Sequence, residues 1–496
     1  MGGPWVARTA HSRDAVEGWF ALVNALDIAR WQFGVTTVFH YLFVPVTIGL
    51  APLVAILHTA YVRTGKDVYR RATRFWGKLL LINFAIGVVT GIVQEFQFGM
   101  AWSEYSRFVG DIFGAPLALK ALLAFFLEST FLGLWNLGWD RLPPKLHLAT
   151  IWLVAIGTTI SAYFILVANS FMHWPVGYEV NPETGRATLV DFWAVLTNPH
   201  VLRQFPHTVL SAYATAGFIL VAVSSWYLLR RREVDLFRRS AALGIGVALV
   251  ASIGVGLIGH EQAQLMTRMQ PMKMAAAEAL WETETSAGMS IFAVGDIEGG
   301  RNHLNIQIPN LLSLLSTNTL DGEVVGINDI QAEYETLYGP GDYRPNIGVT
   351  YWSFRIMAGA GVVMILLMLW GVVLVRRDRL TALERPAVTW FHRLAVVAVA
   401  LPFLANATGW LLTEMGRQPW LVFGVMTTEQ GVSPNMTAFT VGLSLVLFTL
   451  VYGALAVVEG WLVVRHIRSG PEPEPPPDED TIAPEDMRRV GVLVAY

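Results

Sequence analysis

Nine long stretches with almost no charged residues constrain this chain more than any other feature. A helix needs about 20 apolar residues to cross the hydrocarbon core of a membrane, and each stretch meets that length. Backbone polar groups find no water there, and a helix satisfies them within one segment. The sequence therefore predicts an all-α, polytopic membrane bundle of nine transmembrane helices, at about 34–62, 79–98, 116–138, 147–172, 207–229, 240–262, 354–375, 391–413 and 437–464.

Basic residues in alternate loops predict the orientation of the bundle. Arginine and lysine crowd segments 63–78, 230–239 and 376–390, whereas segments 99–115 and 414–436 hold one arginine each. Cytoplasmic loops carry the excess of Lys and Arg in membrane proteins. We therefore expect the N-terminus outside and the C-terminus in the cytoplasm. The strict alternation supports the count of nine spans, because a missed span would break it.

The same pattern divides the chain into five regions. The first could be an ordinary leader or could include an interfacial helix over about 15–33. The long external loop has enough aromatic and apolar residues to predict at least partial order, whereas the Pro- and acid-rich tail is expected to be disordered. The regions are the leader 1–33, spans one to six within 34–262, the external loop 263–353, spans seven to nine within 354–465, and the cytoplasmic tail 466–496.

The chain contains no cysteine, which limits the metal chemistry open to it. Disulfides, zinc thiolate sites, iron–sulfur clusters and thiolate-ligated haem are all excluded. Histidine, methionine and carboxylate side chains remain as possible metal ligands.

Polar side chains within the spans gather near the predicted outer face. Such residues are expensive in lipid and commonly mark functional sites. Each alone has an ordinary interpretation, since a span-end histidine often caps a helix and a methionine usually packs. Their common depth favours a buried cofactor site. The residues of this set are His40, Glu95, Lys120, His207, Arg355, Met357, Trp410, Glu414 and Arg417, with Glu128 and Ser161 nearer mid-depth.

Haem is the cofactor that this residue set suits. Haem iron takes His, or His with Met, so His207 and Met357 could form a six-coordinate pair. His40 and Glu414 are candidates for single ligands that leave an iron position open. Arginines at span ends could pair with haem propionates, or could simply reach to the membrane interface.

Seven local strings resemble signature segments of subunit I of the cytochrome bd-type quinol oxidases, in its short-loop form. The resemblance runs from about residue 25 to 465, and the strings lie in the order and on the spans expected of the family. They are ARWQFGVTTVFHYLFVPVTIG (29–49), GIVQEFQFGMAWSEYSRFVGDIFGAPLALKALLAFFLEST (91–130), SAYFILVANSFMHWPVGYEVNPETG (161–185), FPHTVLSAY (205–213), QPMKMAAAEALWET (270–283), YWSFRIMAG (351–359) and TGWLLTEMGRQPW (408–420).

The resemblance implies three haems and their ligands. His207 and Met357 match the axial ligands of a low-spin haem b. His40 and Glu414 match those of a high-spin haem b and a haem d, or a further haem b in its place, with the assignment between them open. Residues Glu95, Trp410, Arg355 and Arg417 match positions close to the haems.

The resemblance also implies a quinol site and a proton route. Lys273 and Glu278 match the quinol-site pair; without the resemblance, they would look like a solvated helix face. Glu128 and Ser161 match the route of protons from the cytoplasm. One departure concerns Lys120, which stands where the family commonly has an acidic residue. We expect Lys120 to reach toward the interface, with contact to a haem propionate as the alternative.

The implied function is a terminal quinol oxidase of a bacterial cytoplasmic membrane. It would oxidise quinol at the outer face and reduce O₂ to water with cytoplasmic protons. We expect a second large subunit, small single-span subunits and the lipid bilayer as partners, and no nucleic acid. The alternatives are a haem-b-only oxidase of the same family, a dihaem quinol dehydrogenase that passes electrons to another protein, and a membrane transporter.

Overall fold

The computed structural model describes residues 24–296 and 299–473. The predicted leader up to residue 23 and the predicted disordered tail beyond residue 473 lie outside the described residues. Within the described ranges, nine helical segments are long and apolar enough to cross a membrane. This confirms the predicted fold class and the predicted number of spans.

The nine spans are built from twelve helices. They are α1 Ala25–Thr64, α2 Asp67–Met100, α3 Ser103–Leu119 with α4 Phe126–Leu137, α5 Pro144–His173, α6 Phe192–Leu196 with α7 Val201–Leu228, α8 Val234–Met269, α12 Ile347–Arg376, α13 Pro386–Ala398 with α14 Ala400–Met415, and α15 Ala438–Ser469.

Helices and strands outside the spans belong mainly to the segment between α8 and α12. The short helices are α9 Pro271–Glu278, α10 Leu311–Thr317 and α11 Ile327–Tyr338. The strands are β1 Tyr178–Val180, β2 Ala187–Leu189, β3 Glu284–Thr285, β4 Met289–Asp296, β5 Arg301–Ile308, β6 Glu323–Val324, β7 Trp420–Val422 and β8 Met426–Thr427. They form four antiparallel pairs, β1–β2, β3–β6, β4–β5 and β7–β8.

Several spans begin earlier than hydropathy predicted, because polar residues extend their helices beyond the apolar stretch. The first helix starts at Ala25, where the Asn24 side chain caps it by accepting a hydrogen bond of 3.0 Å from the Leu26 amide. The third span starts at Ser103 with Glu104 in its first turn, where a negative charge is favourable to the helix dipole.

A π-helical turn, Lys120–Phe125, joins α3 to α4. A π-helical turn accommodates one extra residue within an otherwise α-helical segment and often lies at functional sites. The third span therefore runs without a break while the faces of its two halves are rotated relative to each other.

The bundle has two chemically different ends. The "basic end" carries the connections 65–66, 138–143, 229–233 and 377–385. The "loop end" carries segments 270–296 and 299–346, which are ordered by a buried cluster of Trp281, Ile327, Tyr334, Tyr343 and Trp420. Because Trp420 belongs to β7, this cluster fastens these segments to the chain that follows α14.

Helices α7 and α8 approach each other closely. A Cβ atom placed on Gly244 of α8 would lie 2.8 Å from the Gly217 carbonyl oxygen of α7. Small residues let membrane helices approach to this distance, where dispersion contacts are greatest. Around this contact, the largest apolar cluster buries Trp76, Phe218 and Phe237 completely toward the basic end.

We expect the substitution Gly244→Val to destabilise the protein by about 1–3 kcal/mol, because the new side chain would overpack the contact between α7 and α8. The matched control is Gly246→Val on the same helix, since a Cβ there meets no atom within 4 Å. The thermal unfolding midpoint of the purified complex measures both. Equal midpoints for the two variants would contradict the close-packing interpretation.

Candidate functional site

His40 is held in a defined orientation near the loop end of α1. Its Nδ1 atom lies 3.0 Å from the Thr90 hydroxyl, which itself donates to the Gly87 carbonyl at 3.0 Å. A hydroxyl has a single proton to donate, so Thr90 accepts from His40 and the Nδ1 atom carries the hydrogen. The Nε2 atom then has a free lone pair, as a metal ligand requires.

His207 and Met357 lie on α7 and α12, toward the same end. The His207 ring is buried, and among the described residues its Nδ1 atom makes no hydrogen bond of standard geometry, although the Val255 carbonyl lies near. Buried polar groups in proteins are nearly always satisfied. An unsatisfied imidazole nitrogen is therefore consistent with a ligand for the ring.

Each of these three side chains faces a glycine on a neighbouring helix. A Cβ atom would lie 3.0 Å from the His40 ring if built on Gly91, and 3.3 Å from the His207 ring if built on Gly259. One built on Gly409 would lie 3.1 Å from the Met357 sulfur. Space is thus kept beside each candidate ligand, and the donor set of two imidazoles, a thioether and a carboxylate fits haem iron.

The carboxylate of Glu414, near the end of α14, is held by three donors. It accepts from Asn169 at 2.9 Å, from Arg417 at 2.5 Å and from the His173 ring at 3.4 Å. Arg417 is itself buried, and Trp410 lies one turn earlier on α14 with its ring against Tyr41. Second-sphere donors of this kind orient a metal-binding carboxylate.

Lys273 and Glu278 lie on α9 and are buried, with 4% and 3% of their surfaces exposed. The alternative of a solvated helix face is therefore wrong. Burial, and then the charge of Arg417, lowers the pKa of Lys273 to about 7. Glu278 accepts two hydrogen bonds from Arg355, at 2.6 and 3.2 Å, yet burial still raises its pKa.

Glu128 and Ser161 come together on α4 and α5. The two side chains are within hydrogen-bonding distance, and Glu128 is buried against Gly157. A buried carboxylate beside a hydroxyl can pass a proton, so the predicted association of these two residues has a structural basis.

Lys120 begins the π-helical turn and pairs with Glu95 of α2, with 3.4 Å between the ammonium nitrogen and the carboxylate oxygen. The two side chains are 29% and 48% exposed. The expectation that Lys120 reaches toward the interface is incomplete, because its charge is matched by an acidic residue on the neighbouring helix.

Two histidines of this site were missed by the sequence reasoning. The His173 and His200 rings stack with centroids 4.7 Å apart, beside Glu414 and Lys273. The spacing of His173 four residues after Asn169 was a usable signal, because residues four apart share one helix face. No spacing rule relates His200, which lies beyond two short strands, to either residue.

Together, the described residues define a class. Nine apolar helices position histidine, methionine and carboxylate side chains beside open space at one end, as in membrane proteins that bind haem. An ion-paired polar site lies next to them on α9, directly after the span formed by α8.

Comparison with known proteins identifies the family. The model of the family "Cytochrome bd terminal oxidase subunit I" matches residues 28–471. The chain belongs to this family. It is subunit I of a terminal quinol oxidase, a multi-pass protein of the bacterial inner membrane, and the family uses haem cofactors and works with a second subunit.

Individual relatives agree over nearly their whole lengths. The chain is 49% identical to cytochrome bd ubiquinol oxidase subunit 1 of Bacillus subtilis, covering 91% of this chain and 95% of that protein. It is 37% identical to cytochrome bd-II ubiquinol oxidase subunit 1 of Escherichia coli, covering 90% and 97%. The bd oxidase structure from Geobacillus thermodenitrificans superimposes with a TM-score of 0.80 at 29% identity, covering 90% and 99%.

We expect Glu278→Gln to lower the stability of the protein by about 3–5 kcal/mol, because it leaves the Arg355 charge buried and unpaired. Asp342→Asn is the control, since its pair with Arg344 lies in the same segment with the carboxylate 61% exposed. We expect that change to cost about 0–1 kcal/mol. Thermal unfolding of the purified complex compares them, and a similar loss in both variants would rule out a special contribution from the buried pair.

The lowered pKa of Lys273 predicts a pH dependence of stability. Between pH 7 and the unfolded value of 10.5, the unfolded state binds more protons at this residue, so its contribution to stability rises with pH. Below about pH 7, the folded protein bears the full penalty of the buried charge. The difference in unfolding midpoint between Lys273→Met and the native protein should therefore shift in favour of the native protein from pH 6 to pH 9. A constant difference, like that expected for the exposed control Lys66→Met, would refute the lowered pKa.

Proposed function

We propose that this subunit oxidises quinol at its loop end and reduces O₂ to water at a pair of haems close by. The observation that carries the proposal is the burial, at that one end, of the α9 pair Lys273 and Glu278 beside Glu414, whose carboxylate accepts hydrogen bonds from Asn169 and Arg417. The proposed site of quinol oxidation on α9 and the proposed oxygen site at Glu414 are thus separated by only a few side chains.

His207 and Met357 would hold a low-spin haem b. His40 and Glu414 would hold the two haems at the oxygen site, a high-spin haem b and a haem d or a further haem b. When bound, these groups supply one-electron transfer and the reduction of O₂. The protein's part is to hold Nε2 of His40 free through Thr90, and to orient Glu414 through Asn169.

The pair on α9 is proposed to bind the quinol head group. A carboxylate with a raised pKa is a better proton acceptor than an ordinary one, so Glu278 suits removal of a quinol proton. Arg355 holds both Glu278 oxygens and fixes their direction. Lys273, with a pKa of about 7, can orient the head group by hydrogen bonding in either protonation state.

Protons for O₂ reduction are proposed to come from the opposite end, through Glu128 and Ser161. The positive-inside rule makes the basic end cytoplasmic and the loop end external. Release of quinol protons outside and uptake of protons inside would then separate charge across the membrane.

The subunit is proposed to assemble with a second large subunit and with small single-span subunits. Helix α15 presents exposed apolar side chains along much of its length, including Leu443, Leu450 and Val457. Such a face suits lipid or the helices of other subunits.

Optical spectra of the purified complex test the ligand assignment. We expect His207→Ala to remove the low-spin haem b bands, and Glu414→Ala to perturb the CO-reactive or high-spin bands. His392→Ala, a buried histidine toward the basic end, is the control and should leave the spectrum unchanged.

The native spectrum separates the alternatives. A red-shifted chlorin band identifies haem d, whereas CO-reactive haem b bands without it indicate the haem-b-only form. Loss of the same bands in all three variants would contradict the ligand assignment. A folded complex without haem would contradict the proposed function and favour a transporter.

A further inference from the structure

We infer that His173 is a positioning residue that couples the quinol-site Lys273 to Glu414, so that quinol binding is sensed at the oxygen site. The inference deepens the proposed function and rests on it. His173 is the last residue of α5 and is fully buried.

The two ring nitrogens of His173 face the two sites. The Nδ1 atom lies 3.2 Å from the Lys273 ammonium nitrogen. The Nε2 atom lies 3.4 Å from a Glu414 carboxylate oxygen. One imidazole therefore spans the gap between α9 and α14 with a polar contact at each side.

Two donors, the Lys273 ammonium group at 3.2 Å and the Gln270 amide at 3.4 Å, face the Nδ1 atom and determine which ring nitrogen carries the hydrogen. A lysine ammonium group donates hydrogen bonds and has no lone pair, so the Nδ1 atom of His173 must accept. The hydrogen of the neutral ring is then on Nε2, which donates to Glu414. Arg417 lies 3.4 Å from the same Nε2 atom. Because a guanidinium group can only donate, Arg417 cannot accept the Nε2 hydrogen in place of Glu414.

The surrounding side chains leave the ring little freedom. The Gln270 amide donates to the His173 carbonyl at 2.8 Å, and the His200 ring stacks on His173 with an interplanar angle of 15°. Asn169, one turn earlier on α5, donates to the same Glu414 oxygen. Helix α5 thus presents two donors to one carboxylate oxygen, and one of these two depends on Lys273.

The two sites are coupled thermodynamically through the hydrogen bonds of His173, and this coupling involves no electron transfer. A quinol head group that draws the Lys273 ammonium toward itself removes the shorter of the two hydrogen bonds that Nδ1 of His173 accepts, and only the 3.4 Å contact of the Gln270 amide is left to fix the tautomer. The donation to Glu414 then changes, and with it the orientation of the proposed haem ligand. Such coupling is reciprocal, so the state of Glu414 must also affect quinol affinity.

A double-mutant cycle in the purified complex tests the inference at pH 6, below the pKa of about 7 of Lys273. The variants are Lys273→Met, His173→Leu and their combination, read by the absorption bands of the Glu414-associated haem and by the KM for a soluble quinol. The variant His173→Gln keeps one donor and one acceptor and should restore native behaviour. The variant His392→Leu is the control for loss of a buried histidine.

We expect Lys273→Met to shift those bands in the native background and to have no further effect in His173→Leu. The variant His173→Leu itself should raise the quinol KM by about tenfold, the typical effect of losing a second-sphere or charge-assisted hydrogen bond. The variants His173→Gln and His392→Leu should show neither the shift of the haem bands nor the rise in quinol KM.

Two results would overturn the coupling while leaving the proposed function intact. One is an unchanged spectrum in Lys273→Met despite impaired quinol oxidation. The other is a spectral shift of the same size whether His173 is present or replaced by leucine. A native complex that lacks haem or does not oxidise quinol would overturn the proposed function and the coupling together.

Discussion

Pairing of buried charge is the constraint on which the loop end of this bundle depends. A charge placed in a low-dielectric interior is tolerated only with an opposite charge or several hydrogen bonds. Arg355 with Glu278, and Arg417 with Glu414, meet this requirement within α9, α12 and the end of α14. The first pair connects α12 to α9, whereas the two residues of the second pair lie three positions apart in one segment. The segment between α8 and α12 is therefore positioned by the Arg355–Glu278 pair as well as by its aromatic cluster.

The sequence predicted the spans well because hydropathy measures what lipid itself selects for. It predicted the ends of the spans poorly, since residues such as Glu104 and Asp27 continue a helix beyond the apolar stretch. The π-helical turn at Lys120 had no recognisable pattern, because its residues are ordinary helix formers. The burial of Lys273 was likewise hidden, because it depends on residues more than a hundred positions away along the chain.

The candidate ligands came from residue type and predicted depth, and the structure adds what surrounds them. The partner of His40 is Thr90, fifty residues later, and one of the partners of Glu414 is Asn169, 245 residues earlier. No spacing rule connects such pairs, because they meet through helix packing. The sequence can therefore predict which residues are candidate ligands in a site of this kind. It cannot predict which side chains form hydrogen bonds to those ligands.

Space is as specific a feature of this site as the ligands are. Gly91, Gly259 and Gly409 lie on three different helices, and each adjoins a different candidate ligand. Glycine destabilises a helix interior by about 1 kcal/mol relative to alanine, so its use at these positions has to be offset by another gain. Close helix packing accounts for Gly217 and Gly244, whose neighbours are backbone and aliphatic side-chain atoms of the facing helix. The neighbours of the other three are the side chains of candidate ligands. The proposed haems would need such room between helices, whereas close helix packing would not.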